Sequence, residues 1–411
     1  MVLDKRFLIN FSWLNAASIT NKLISFVYVV ILVRLLPQAS YGVYNLVWAQ
    51  IGLLGSWQDL GTTPYGLLQG NSRNAAKLNS IFTLRIILAF VVAIATLISA
   101  VWLNYATPII KTVAIFSGFY LYTAISGFFL VMAALQKRLT IPAILSIAFN
   151  TVLIGSNIFV LILTKDVFAV FKITALYYFI YGLFLLFVTK KYFFPVKLNF
   201  NIKLFKQVIR QSLVFTLISF SVSFYLKSNF IMIGKIWGPT QLAIYSAAYK
   251  FFEVPQLMVA NYNFSSIPTF RSYFIRSLAR YWSKVKNDTL FLLMLSLPIT
   301  IFTWIFGGFI INLFFSNRYS ESIQILNILI IALPMILLSS VFISALYAQR
   351  KEKMVAVVFI GLGLFNFLLN LVLLPRMGIN ITAWLLVITQ TFSALFFGVY
   401  LHFTHKHGQK N

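Results

Sequence analysis

The sequence contains no cysteine, and only seven of its 411 residues are acidic. The absence of cysteine excludes disulfide bonds, cysteine-ligated metal sites and thiol catalysis. The scarcity of acids leaves little support for catalysis by paired carboxylates. HExxH, P-loop and GxSxG motifs are also absent from the sequence. The sequence therefore predicts neither a catalytic site nor a metal site.

Apolar residues make up 60% of the chain and charged residues only 10%, whereas soluble domains average roughly half and a quarter. A membrane-spanning helix needs about 20 mostly apolar residues, and such runs recur from Phe11 to Phe403. The runs are continuous rather than alternating, which favours helices over a barrel. We therefore expect an all-α polytopic membrane protein with about 12 transmembrane helices. The predicted spans are 12–34, 42–67, 80–102, 110–134, 141–164, 168–189, 211–234, 241–268, 289–315, 322–348, 355–374 and 379–402.

The formal net charge is +26, which in a soluble protein would suggest nucleic acid as a partner. Here we expect no nucleic acid, because Lys and Arg in short loops set the orientation of membrane proteins. One alternate set of predicted connections carries about 22 cations, and the opposite set carries about seven. This asymmetry predicts that both termini lie in the cytoplasm.

The longest polar connection runs from Lys190 to Arg210. We interpret it as a cytoplasmic linker with an amphipathic piece on the inner leaflet. It divides the chain into an N-terminal six-helix lobe (1–190), the linker (191–210) and a C-terminal six-helix lobe (211–411).

Two segments about 201 positions apart are alike, namely Arg34–Tyr44 and Lys235–Tyr245. Each follows a long apolar run, turns within a few residues and enters another such run. The alternative explanation is that tight turns containing Gly, Pro and Tyr recur by chance. A true repeat with six spans in each half predicts a substrate site between the halves, near the membrane midplane.

These segments also carry a family resemblance. The motifs Arg34-Leu35-Leu36-Pro37, Tyr41-Gly42-Val43-Tyr44-Asn45 and Asp59-Leu60-Gly61 resemble the opening of the polysaccharide and O-antigen flippases. Those proteins belong to the multidrug/oligosaccharidyl-lipid/polysaccharide exporter (MOP) superfamily. The second half also resembles them in the motifs Gly238-Pro239, Tyr245-Ser246-Ala247-Ala248, Asn366, Asn370 and Leu374-Pro375. The sequence departs from the pattern at Asn229, where many relatives have Asp, and at Ala243, where Gly is usual.

The resemblance implies a V-shaped carrier of the MATE type in a bacterial inner membrane. Such a carrier would move an undecaprenyl-diphosphate-linked oligosaccharide from the cytoplasmic to the periplasmic leaflet by alternating access. Proton or sodium coupling is often proposed for these proteins, and no other cofactor is implied. Besides membrane lipid, the implied partners are the polymerase and chain-length proteins of the same pathway. Asn229 weakens any ion coupling that would depend on an acid at that position.

Four cations fall within the predicted spans: Lys22, Arg85, Lys227 and Lys250. An uncompensated cation at the membrane centre costs about 2.5–3.5 kcal/mol. We interpret the three lysines as donors that face a water-filled cleft and bind the diphosphate. The alternative for Lys227 and Lys250 is that the long stem reaches partway to an interface, whereas Lys22 lies too deep in its span for that. That alternative is the one we favour for Arg85.

Glu253 follows Lys250 by three residues, so both side chains lie on one face of a helix. Glu253 is either a local counter-ion of Lys250 or a protonatable group that releases Lys250 and couples transport to ions. Asp59, near the cytoplasmic end of the second predicted span, is the other candidate for ion coupling. For Asp59 we favour a structural cap or a contact between the lobes.

Two other functions compete with the flippase interpretation. A multidrug exporter of the same superfamily would be expected to hold acids for organic cations, whereas the charges in these spans are mostly positive. A membrane polymerase or ligase would need a sizeable periplasmic loop, whereas the predicted periplasmic connections are short. The sequence therefore predicts that the protein is not an enzyme.

Overall fold

The computed structural model describes residues 5–63 and 75–408, and this part of the chain is helical without strands. Helices dominate because a backbone in lipid must satisfy its own hydrogen bonds. The helices of the first half are α1 (Lys5–Leu35), α2 (Gln38–Asp59), α3 (Ala75–Trp102), α4 (Thr107–Phe116), α5 (Phe119–Leu135), α6 (Thr140–Thr164) and α7 (Val167–Val188). Those that follow are α8 (Ile202–Ile236), α9 (Gly238–Arg276), α10 (Leu278–Phe315), α11 (Glu321–Ile330), α12 (Ala332–Ala348), α13 (Glu352–Met377) and α14 (Asn380–Gly408).

The outer faces of these helices are apolar. On α3, Phe90, Ile94 and Ile98 are spaced four residues apart, and 58%, 60% and 63% of their surfaces are exposed. Such faces suit lipid rather than water. Nine helical segments of the described chain are long and apolar enough to cross a membrane. The all-α, multi-pass membrane fold is therefore confirmed.

Three long helices of the described chain, α2, α8 and α9, are not among the nine apolar segments. They carry the candidate residues Asp59, Lys227, Lys250 and Glu253. Polar groups inside membrane segments are expensive and mark functional positions. The least apolar long helices therefore hold most of the candidate site.

The chain divides into two compact units, with the division after Ser223 inside α8. In the first unit, α1 packs on α6, and α5 packs on both α3 and α7. In the second unit, α12 lies at the centre and contacts α9, α10 and α14, while α13 packs on α14. The lobe boundaries expected from the sequence, at 190 and 210, stay a prediction.

Both halves contain a span that is broken in the same way. In the first half, the 10-residue helix α4 is followed by the 17-residue helix α5. In the second half, the 10-residue helix α11 is followed by the 17-residue helix α12. Pro334 lies in the first turn of α12, where its missing N–H group is tolerated. This shared break supports the internal repeat independently of the turn motifs.

The two turn motifs each separate a pair of helices. Pro37 immediately precedes α2, whereas Gly238 begins α9 and Pro239 lies in its first turn. Gly238 has a φ of +83°, which an L side chain would adopt only with strain. When the two segments are aligned with a shift of 201 residues, Pro239 falls one position later than Pro37. The position equivalent to Pro37 is Gly238, which makes the second turn.

Three details concern α10, the linker and the second predicted span. Pro298 lies inside α10, which is continuous. The linker contains a π-helical turn, Thr189–Phe193, and residues 194–201 are non-helical; the expected amphipathic piece on the inner leaflet stays a prediction. The predicted second span, 42–67, ends outside the described residues.

Candidate functional site

Two lysines share one carboxylate on α8 and α9. Lys250 Nζ lies 3.0 Å from Glu253 Oε2, and 30% and 46% of the two side chains are exposed. Lys227, on α8, is within electrostatic reach of both of these charges. Lys250 and Glu253 therefore form an ion pair, while the part of Glu253 in ion coupling stays a prediction. The group of three carries a formal excess of one positive charge.

Aromatic rings connect the two helices that carry these charges. The Phe230 ring, on α8, packs edge-on against Tyr245 and Tyr249 of α9, at centroid distances of 5.4 Å and 5.1 Å. Lys227 Nζ lies 5.6 Å from the centroid of the same Phe230 ring, a distance at which the ring face attracts a cation. The Lys227 ammonium therefore lies over a ring that is itself packed against two tyrosines. We call Lys227, Lys250 and Glu253 the cationic group.

Arg85 does not reach an interface, so the expectation of snorkelling is wrong. Its side chain is 2% exposed, and its Nη1 lies 2.6 Å from Asp59 Oδ1. Nη1 also donates to Thr62 Oγ1 and Thr63 Oγ1, at 2.8 Å and 2.9 Å, and Nε donates to the carbonyl of Ala124, at 2.9 Å. The negative charge of Asp59, on another helix, and these hydrogen bonds together offset the cost of burying the Arg85 guanidinium.

This pair joins the C-terminal end of α2 to α3 and α5. Thr63 Oγ1 donates to Asp59 Oδ1 at 2.6 Å, so the carboxylate is held from two sides. A Cβ atom added at Gly127, on α5, would overlap the guanidinium of Arg85. Gly127 is therefore needed for the ion pair to fit. Asp59 acts as a structural contact here, and its proposed part in ion coupling stays a prediction.

Lys22 is exposed on α1. The preceding residue, Asn21, is turned toward α6, where it accepts a hydrogen bond from Asn150 Nδ2 at 3.1 Å and donates to Ser146 Oγ at 3.2 Å. Successive helical residues point about 100° apart, so the anchoring of Asn21 leaves Lys22 on another face. An exposed ammonium is available to a ligand, and its predicted role with Lys227 and Lys250 stays a prediction.

Tyrosines from several helices of the first unit meet in one aromatic cluster. Tyr44 packs against Tyr28 at a centroid distance of 6.4 Å, and Tyr178 packs against Tyr122 at 4.6 Å. Phe171 and Phe116 connect the two pairs, because Tyr44 stacks on Phe171 at 5.4 Å, Phe171 packs against Phe116 at 5.0 Å, and Phe116 packs against Tyr178 at 6.4 Å. The Tyr28 hydroxyl is buried and has no well-aligned hydrogen-bond partner. We call Tyr28, Tyr44, Tyr122 and Tyr178 the tyrosine cluster; its only polar atoms are hydroxyls.

Buried amides of the second unit form a network without a formal charge. Asn370 Nδ2 donates to Asn229 Oδ1 at 3.3 Å and to Asn366 Oδ1 at 3.1 Å. Thr382 Oγ1 donates to Asn370 Oδ1 at 2.8 Å, and Asn366 Nδ2 donates to Thr389 Oγ1 at 3.1 Å. Asn229, where relatives often have an acid, therefore joins α8 to α13 through neutral hydrogen bonds.

Sequence reasoning missed one further acid. Asp288 Oδ2 accepts hydrogen bonds from Tyr262 at 2.6 Å and from Lys284 at 2.7 Å. Helix α10 begins at Leu278, about ten residues before the apolar run. The four-residue spacing of Lys284 and Asp288, which suits a helical ion pair, was the signal that could have revealed it.

Comparison with known proteins places this geometry in context. The family described as "Polysaccharide biosynthesis protein" matches residues 7–274. No curated protein matches the sequence significantly.

Solved structures do match in fold. An inward-facing multidrug resistance MATE transporter of the MOP superfamily has a TM-score of 0.75 at 14% identity, covering 95% of this chain and 96% of that chain. The lipid II flippase MurJ, in an inward closed conformation, has a TM-score of 0.74 at 12% identity, covering 95% and 87%.

A third solved structure adds a contrast in chemistry. It is a MOP superfamily transporter from Pyrococcus furiosus, for which the reverse polarity of the binding pocket suggests a different function. Its TM-score is 0.52 at 14% identity, and the match covers 96% of this chain and 92% of that chain. At these identities the structural matches establish a MATE-like fold and nothing finer.

Proposed function

Because this chain belongs to the polysaccharide biosynthesis protein family, we propose that it is a flippase for undecaprenyl-diphosphate-linked oligosaccharide. It would move this lipid from the cytoplasmic to the periplasmic leaflet of a bacterial inner membrane by alternating access. The observation that carries the proposal is the cationic group, in which two lysines share a single carboxylate within α8 and α9. An unbalanced positive charge there suits an anionic lipid headgroup.

The diphosphate would bind Lys227 and Lys250, with Lys22 as a third donor. An ammonium is a compact point charge that suits phosphate. Hydrogen bonds to charged groups contribute about 1.5–3 kcal/mol each, so two lysines can select a diphosphate over an uncharged lipid. The half-exposed state of Lys250 supports access for the ligand. The polyprenyl tail needs no pocket of its own because it can remain in lipid.

The sugars would contact the tyrosine cluster. Sugar rings present apolar C–H faces together with hydroxyl groups, and tyrosine offers both a ring and a hydroxyl. The buried Tyr28 hydroxyl without a well-aligned partner supports this role, because a buried polar group normally has a hydrogen bond. Uncharged hydroxyls favour a neutral, hydroxyl-rich ligand.

Glu253 is the proposed coupling group. While it is ionised, it holds Lys250 at 3.0 Å and competes with the diphosphate for that lysine. Protonation of Glu253, or its pairing with sodium, would release Lys250 to the ligand. Coupling by Asp59 is a weaker proposal, because its carboxylate already holds Arg85.

The test is translocation of a lipid-linked oligosaccharide in vesicles that contain the purified protein. Sugars on the outer leaflet are oxidised by periodate, which does not cross the bilayer, so protection of the sugars reports their leaflet. We expect wild type to expose sugars from both leaflets, and Lys227→Gln or Lys250→Gln to leave the inner pool protected. Lys172→Gln, which alters an exposed lysine of α7, is the matched control and should translocate normally.

Translocation at wild-type rates by the double variant Lys227→Gln/Lys250→Gln would contradict the proposal. Binding of cationic dyes, without binding of the diphosphate lipid, would instead favour the multidrug exporter. A polymerase would be revealed in cells, because its loss still exports single repeat units, whereas loss of a flippase strands them inside. Polymerase and chain-length proteins of the same pathway are the proposed partners.

A further inference from the structure

Residues 194–201, between the π-helical turn and α8, form an extended segment that we call the strap. Its backbone is held by side chains of α3. The Lys197 N–H donates to Asn79 Oδ1 at 2.9 Å, and the Asn199 N–H donates to Thr83 Oγ1 at 2.8 Å. Asn79 and Thr83 are four residues apart and therefore lie on one face of α3. The strap is thus fixed along a membrane-spanning helix at two alternate residues.

Further contacts hold both ends of the strap. Asn199 Nδ2 donates to the carbonyl of Ala76 at 2.9 Å. Just before the strap, the carbonyl of Phe193 accepts a hydrogen bond from Gln136 Nε2 at 2.6 Å. Phe194 and Val196 pack against the buried apolar core of the first unit. The strap is therefore part of the folded unit rather than a loose connection.

The opposite face of the strap presents large apolar side chains. Leu198, Phe200 and Ile202 are 60%, 68% and 69% exposed. In an extended chain, residues two apart lie on the same face, so Leu198 and Phe200 form an outward row, which is followed by the exposed Ile202 at the first position of α8. The described protein leaves this row uncovered, at the level where α7 ends and α8 begins.

Basic residues surround this row. The exposed cations of the strap and its flanks are Lys190, Lys191, Lys197, Lys203, Lys206 and Arg210. The sequence contains no acid between residues 167 and 252. Apolar side chains next to clustered cations are the pattern that inserts into the headgroup region of an anionic membrane. A protein partner would need its own acidic surface, whereas the membrane already adjoins the ends of α7 and α8.

We propose that the strap and its flanking cations form a binding site for anionic phospholipids at the cytoplasmic leaflet. The lysines contact headgroup phosphates, and Leu198, Phe200 and Ile202 enter the boundary between headgroups and acyl chains. This site is separate from the cationic group of the proposed flippase function and does not depend on it. The site takes up resident lipid rather than transported lipid.

The full-length protein allows a direct test, because the chain has no cysteine and Leu198→Cys can therefore carry a single spin label. The labelled protein is placed in vesicles of phosphatidylcholine, alone or mixed with phosphatidylglycerol. We expect the label to lie in the interface and to move deeper as phosphatidylglycerol increases. Native mass spectrometry of the unlabelled protein then measures how much phosphatidylglycerol stays bound.

The charge variant is Lys197→Gln/Lys203→Gln/Lys206→Gln. Each cation near an anionic surface contributes about fivefold in affinity, so the variant should retain phosphatidylglycerol about a hundredfold less well. The matched control is Arg276→Gln/Arg280→Gln/Lys286→Gln, which removes three exposed cations near the corner between α9 and α10. The control should stay within about threefold of wild type.

Three outcomes would overturn the proposal. The first is an equal loss of bound phosphatidylglycerol in both triple variants, which would mean that the net positive charge of the protein attracts this lipid without a specific site. The second is no loss in the strap variant. The third is a label at residue 198 that remains in water in both lipid mixtures.

Discussion

Two ion pairs of similar chemistry occupy different environments in this molecule. Arg85 and Asp59 join three helices of the first unit, and the guanidinium is 2% exposed with hydrogen bonds to several oxygens. Lys250 and Glu253 lie on one helix of the second unit, 30% and 46% exposed, with Lys227 as an extra cation nearby. We call the first pair closed because its cation is buried, although Asp59 is 32% exposed; its two charges balance. The second pair is open because both members are partly exposed, and with Lys227 it carries a formal excess of positive charge.

This difference separates a structural charge from a functional one. A buried arginine whose hydrogen bonds go to protein oxygens is not accessible to a ligand, and its removal leaves a carboxylate without its counter-ion. A half-exposed lysine next to one shared acid can exchange that acid for a phosphate. A charged residue inside a membrane helix is therefore not by itself evidence of a substrate site. Its exposure, and whether nearby charges balance it, distinguish a ligand-binding residue from a structural one.

The largest expected effect is the loss of the closed pair. Arg85→Ala should lower the free energy of unfolding by about 3 kcal/mol, because it leaves Asp59 partly buried and unpaired. The measurement is thermal unfolding of the detergent-purified protein. Asp59→Leu/Arg85→Met removes both charges and should recover part of the loss. Wild-type stability of Arg85→Ala would end the structural interpretation of this pair.

The second unit has a buried connection of its own, made without charge. Asn370→Leu removes the centre of the amide network, so Thr382 Oγ1 loses its acceptor and Asn366 Oδ1 and Asn229 Oδ1 lose their donor. Each unsatisfied buried group costs about 1–3 kcal/mol, so we expect a loss of about 2 kcal/mol in the same thermal assay. Asn229→Leu, at the edge of the network, is the matched control and should lose less. Equal losses in the two variants would contradict the central position of Asn370.

Gly127→Ala tests how tightly the closed pair is enclosed. The added methyl group would overlap the Arg85 guanidinium, and overpacking of this kind costs about 1–3 kcal/mol. Gly155→Ala on α6 is the control, because nothing lies within 4 Å of its new Cβ atom. That control should be neutral or slightly stabilising in a helix. A neutral Gly127→Ala would mean that the guanidinium can move away.

Glu253→Gln should have the smallest effect on stability, below about 1 kcal/mol, because the open pair is half exposed. Its effect should appear in binding instead, because removing the competing carboxylate releases Lys250. We expect undecaprenyl diphosphate to bind about fivefold more tightly, as measured by fluorescence or native mass spectrometry. Weaker binding in this variant would contradict the competition between Glu253 and the ligand.

Local spacing explains which parts of the site could be predicted. Lys250 and Glu253 are three residues apart on one helix, so the sequence alone indicates their pairing. Arg85 finds Asp59 on another helix, 26 residues away, and a single sequence does not reveal which distant residues meet. The tyrosine cluster combines four helices, and its assembly also depends on tertiary packing.

The fold was more predictable than the site. Lipid imposes continuous apolar runs, so most spans could be placed within a few residues from composition alone. The exceptions lie where helices are less apolar, as at α8 and α9, which extend beyond the predicted spans. The contacts of the strap could not be predicted from the sequence, because its backbone donates to Asn79 and Thr83 of α3, which lie 118 and 116 residues earlier in the chain.

The central claim is that the lysines of the cationic group bind diphosphate. The most direct measurement is the dissociation constant of undecaprenyl diphosphate, compared with uncharged undecaprenol, for wild type and for Lys227→Gln/Lys250→Gln. Two charge-assisted hydrogen bonds predict that the variant binds the diphosphate about a hundredfold more weakly, with thermal stability unchanged. Equal affinity of wild type and variant for the diphosphate would contradict the account.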